Sequence, residues 1–78
     1  MALVEIEFMV EPFNEGAPGP HVLAAIAAAE AAGAAVEMGP FVSVATVASE
    51  AVAELGRVIL EAALAAGAHR ISISVQRT

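Results

Sequence analysis

Glu5 and Glu7 stand two residues apart in the stretch "VEIEFMVE". In an extended chain that spacing sends both carboxylates to one side, about 6–7 Å apart. Such a pair can hold a cation, or accept hydrogen bonds from an amine or an amidine-like group. It could also form an acid–base dyad, but the sequence supplies neither a nucleophile nor an oxyanion hole beside it. The plain structural alternative is a solvated strand face or an oligomer contact, since a half-buried strand alternates polar residues without any function.

Other residues offer chemistry of the same mild kind. Ser43, Ser72 and Ser74 are hydroxyls on strand-like segments, yet with Ser49 they show no partner pattern for a nucleophilic triad. His21 opens a helical stretch and faces the Pro/Gly-rich run "VEPFNEGAPGPHV", which gives it a claim on a ligand; His69 reads as a surface or cap residue. The two histidines are too far apart for a local metal motif. With no Cys, no Asp and no His-x-His spacing, neither a metal nor another cofactor is expected. Phe13 and Phe41 each follow a proline at a strand end, where either could stack on a flat heterocycle or plug the edge of a core. Phe8 reads as core. "GAPG" lacks the lysine and hydroxyl of a phosphate loop. An enzyme is not expected.

These residues must be positioned by one small domain spanning 1–78, near the size where a single core just suffices. Nine Glu against three Arg give a formal charge of −6, which argues against nucleic acid and suits a cationic ligand. The chain is 59% hydrophobic, about a quarter of it alanine, high for a small monomer. A homo-oligomer is the expectation. The run "VLAAIAAAEAAGAAV" is too short for a membrane span and carries Glu30. No signal-like segment opens the chain, so a cytoplasmic protein is expected.

"MALVEIEFMVE" alternates: Val4, Ile6, Phe8 and Val10 on one face, Glu5, Glu7, Met9 and Glu11 on the other, a half-buried strand ended by Pro12. Gly19-Pro20 opens a helix that runs to about Ala31, with Val22, Leu23 and Ile26 as its large apolar residues and Gly33 as its stop. "AAVEM" and "FVSVATV" are strands separated by a Gly39-Pro40 turn. Ser49 is a plausible N-cap for a second helix whose buried stripe is Val52, Leu55, Ile59 and Ala63. Gly67 stops it, and "HRISISVQR" closes the chain with Ile71, Ile73 and Val75 inward.

The order β-α-β-β-α-β predicts an α+β, ferredoxin-like βαββαβ sandwich: a four-stranded antiparallel sheet with two helices on one face. The other face stays open, carrying Glu5, Glu7, Met9, Ser72, Ser74 and Gln76, with Glu5 and Glu7 on a central strand. The phase of the third strand is ambiguous, so that either Ser43 or Thr46 joins them, not both.

The strand–Pro junction at Pro12, the "GPF" turn at Gly39, Pro40 and Phe41, and the Gly-Ala-x-Arg run at Gly67 to Arg70 resemble the small thiamine-binding protein family of YkoF-like domains, formerly an uncharacterised family. The resemblance covers nearly the whole chain. It implies a ferredoxin-like fold, oligomers formed sheet to sheet, a cytoplasmic setting, and binding of thiamine or its pyrimidine part without a known reaction. This chain departs from the pattern at Thr46-Val47, where the family commonly has Glu-Gly at the end of the third strand. The leading expectation is non-catalytic binding of thiamine or a related cationic pyrimidine or thiazole compound by a homodimer or homotetramer. The ligand residues would be Glu5, Glu7, Phe13, His21, Phe41, Ser43, Ser72 and Ser74. The alternative is a structural or regulatory module whose open face only mediates oligomerisation or docks a partner protein. An enzyme of thiamine or pyrimidine metabolism comes third.

Overall fold

The computed structural model describes residues 2–12 and 18–78. In chain order they form β1 (Leu3–Glu11), α1 (Pro20–Ala31), β2 (Ala35–Met38), β3 (Ser43–Ala48), a single 3-10 turn (Ser49–Ala51), α2 (Val52–Ala65) and β4 (Arg70–Arg77). The four strands make one antiparallel sheet in the order β2-β3-β1-β4, with both helices on one side. This is the expected ferredoxin-like α+β arrangement.

The alternation of β1 becomes a two-sided strand: Val4, Ile6, Phe8 and Val10 are buried beneath the helices, and the residues between them point the other way. Leu55, Ile59 and Ala63 of α2 cover this row, as their helical spacing predicts; Val52 is only half-buried. Among the described residues Phe8, Ile6, Leu55 and Ile59 are the largest fully buried side chains. Each stabilises the fold by about 1.5–3 kcal/mol through the apolar area it removes from water.

The helix ends follow from sequence. Gly19 is extended, and its carbonyl accepts from the N–H groups of Val22 and Leu23 (3.1 and 3.2 Å), with Pro20 filling the first helical position. Gly33 and Gly67, at φ of 96° and 103°, end the two helices in the same way. In each case the next residue (Ala34, Ala68) donates back to the last turn (Ala29, Ala63) at 3.1 and 3.0 Å, a Schellman closure.

The buried face of α1 is His21, Ala25 and Ala29; Val22 and Ile26 pack against the core beside it, and Leu23 is 51% exposed. Two expectations are corrected. Ser49 does not cap α2: its hydroxyl lies 3.5 Å from the Glu50 carboxylate, and the helix is entered through the 3-10 turn instead. Val75, expected inward, is 53% exposed although it pairs with buried Ile6: β4 is the sheet's edge, and of its inward row only Ile71 and Ile73 pack against the core. No helix among the described residues is long and apolar enough to cross a membrane.

Candidate functional site

On the open face the register brings side chains together in rows. Glu5 lies between Thr46 of β3 and Gln76 of β4, Glu7 lies between Val44 and Ser74, and Met9 faces Ser72. Because β1 is flanked on both sides, the two carboxylates sit mid-sheet, as expected.

Their surroundings differ. Gln76 Nε2 donates to Glu5 Oε1 at 3.3 Å, so Glu5 is partly engaged. Among the described residues no side chain donates to Glu7, which is exposed. Glu7, Met9, Val42, Ser72, Ile73 and Ser74 line a shallow depression of about 200 Å3. It offers one carboxylate, two hydroxyls and an apolar wall. Two neutral donors beside a carboxylate can bind a protonated or permanently charged ring by charge and the ring's polar edge by hydrogen bonds.

The remaining sequence-predicted residues are placed elsewhere. Ser43 is corrected: it pairs with Phe8 and is buried on the helix side, so Thr46 is the β3 hydroxyl of the open face. His21 is also corrected. It is buried on the inner side of α1, away from the open face, and its Nε2–H donates to the Pro12 carbonyl at 2.6 Å, tying the helix to the end of β1. Phe41 is 66% exposed in the turn before Val42 and does not line the depression. Phe13 lies outside the described residues. Val42 was missed by sequence reading, although the two-residue step from Val44 would have placed it on the open face. Among the described residues no group of three His or Glu side chains converges as a metal site requires.

An exposed cluster of ion pairs lies away from this face. On α2, Arg57 bonds Glu54 and Glu61 together, its Nη1 2.7 Å from Glu61 Oε1. All three face water.

The chain is therefore a ferredoxin-like α+β domain with one covered and one open sheet face. Its sequence matches no protein-family model and no curated protein. Among solved structures it is similar to the "domain of unknown function DUF77 from Bacillus cereus", with 19% identity and a TM-score of 0.67. That likeness covers 97% of this chain and 74% of the other. At this identity the likeness establishes the fold.

Proposed function

We propose that the open sheet face binds a compact cationic heterocycle, thiamine or its aminopyrimidine part, and that the protein carries out no reaction on it. The observation that supports this is the depression at Glu7: a carboxylate with no described donor, beside Ser72 and Ser74 and an apolar wall of Met9 and Val42. The overall charge of −6 favours approach of a cation. At about 200 Å3 the depression is smaller than the roughly 300–1,000 Å3 of a drug-sized pocket. It has room for one ring, and the rest of a two-ring ligand would extend over the sheet toward Glu5. In this role the protein is a carrier, store or sensor.

Titration calorimetry with thiamine and, separately, its pyrimidine fragment tests the reading. The expected result is micromolar or tighter binding, about −8 kcal/mol, lost in Glu7→Gln while the far-UV circular dichroism is unchanged. Absence of heat with both compounds would move the function to the second reading, a module whose open face docks another protein surface. The apolar Val44 and Met9 among the polar residues of that face keep this reading alive.

A further inference from the structure

We propose that two copies of this chain join edge to edge through β4, making one continuous eight-stranded sheet, and that this contact is separate from the ligand face. β4 is an outer strand of eight residues, "RISISVQR", with no proline, no glycine and charge only at its two ends. A long uncovered edge of this kind is a template for another strand.

The direction of its free main-chain groups follows from the ladder with β1. Thr78 N–H donates to Leu3 O at 3.3 Å, and the pairing alternates from there. Residues 72, 74 and 76 therefore bond inward, and the N–H and C=O of Ile71, Ile73 and Val75 point outward. An antiparallel pairing about a two-fold axis at Ile73 then matches type with type. Ile73 meets Ile73 of the second copy, Ile71 meets Val75, Ser72 meets Ser74, and Arg70 meets Gln76. A two-fold contact requires this self-complementarity.

The flank of α2 continues the surface. Leu60 and Leu64 follow buried Ile59 and Ala63 by one position, on the opposite flank from Val58, which packs into the core. A right-handed helix in a right-handed crossover puts that flank over β4, away from α1. Leu64 is 58% exposed, and Leu60 and Val75 are also exposed, so three large apolar residues line the edge that the helices leave uncovered. Charge agrees as well. Arg77 of the second copy would arrive beside His69, past the C-terminal end of α2, where the carbonyl end of the helix favours a cation. Meeting through the open faces would instead bring the Glu5 and Glu7 carboxylates of both copies together.

Sedimentation equilibrium and amide exchange on the full chain test this. The expected result is a dimer at micromolar concentration, with the amides of Ile71, Ile73 and Val75 protected although a single copy turns them to solvent. Val75→Pro removes an outward donor that the monomer does not use, and should give a folded monomer. Leu64→Glu, on the helix flank, should weaken the dimer at least tenfold, and it keeps the test decisive if the proline variant fails to fold. A monomeric wild type, rapid exchange at those three amides in a dimer, or an unchanged dimer constant in either folded variant overturns the proposal.

Discussion

Replacing His21 by Ala separates a histidine that fastens the fold from one that waits for a ligand. The ring is 5% exposed and donates from Nε2 to the Pro12 carbonyl at 2.6 Å. Removing it deletes a part-buried hydrogen bond, a loss of about 1–3 kcal/mol where the carbonyl is left poorly solvated. The space vacated beside Ala25 adds a cavity term, so a total of about 2–4 kcal/mol follows. For a domain of this size each kcal/mol lowers Tm by about 4–8 °C. The drop is then at least about 8 °C, read by circular dichroism because the chain has no Trp or Tyr. His69→Ala is the internal control: that residue is exposed, and its loss should stay within about 0.5 kcal/mol. Affinity for thiamine, measured below the transition, should be unchanged in both variants. Equal stability of the two variants would refute the fastening role, and selective loss of ligand in His21→Ala would return His21 to the site.

Phe8→Ala removes the largest fully buried side chain among the described residues and should cost about 3–5 kcal/mol, a large share of the roughly 4–12 kcal/mol available to a domain of this length. Met9→Ala, one residue on but on the open face, should cost well under half as much by urea titration. Glu54 accepts hydrogen bonds from Arg57, which together with the charge attraction hold its carboxyl below the usual range. A carboxyl lowered on folding adds stability above its unfolded value near about 4.3, and that stability is lost as pH falls through the lowered folded value. Carbon-detected NMR titration should show this, with Arg57→Gln returning Glu54 to the ordinary range; a normal Glu54 titration in the wild type contradicts the contact.

Where the sequence carried a strong period, it read correctly. The alternation of β1, the Leu55–Ile59–Ala63 stripe and the two glycine stops all reappear in the structure. The errors fall where composition is ambiguous. In α1 alanine occupies six of the twelve positions, so the sequence marked no inner face. In β3, "SVATVA" alternates small with small, and only pairing with β1 decides that Ser43 goes in and Thr46 out. Val75 shows a different limit: period-two patterning says which side a residue takes, not whether it packs against the core. The open-face row of Glu5, Glu7, Ser72 and Ser74 was legible because each lies in an unbroken strand. The concavity at Glu7 was not, because it depends on Val42, just outside β3, whose position is set by the Gly39 to Val42 turn.

The central place of β1 has a consequence for how the chain is made. Its ladders are with β3 and β4, so Val4 must wait for Val47 and then for Arg77. At a synthesis rate of about 5–20 residues per second, the first strand leaves the ribosome seconds before its last partner does. During that interval the Ile6–Phe8–Val10 row has no second neighbour, and α2 with its flanking strands must come into place before the row is sealed. Such distant pairing puts folding in the slower range for small α/β domains. The glutamates that alternate along β1 would then act before any ligand arrives, as charges that discourage nascent copies of the same strand from stacking on one another.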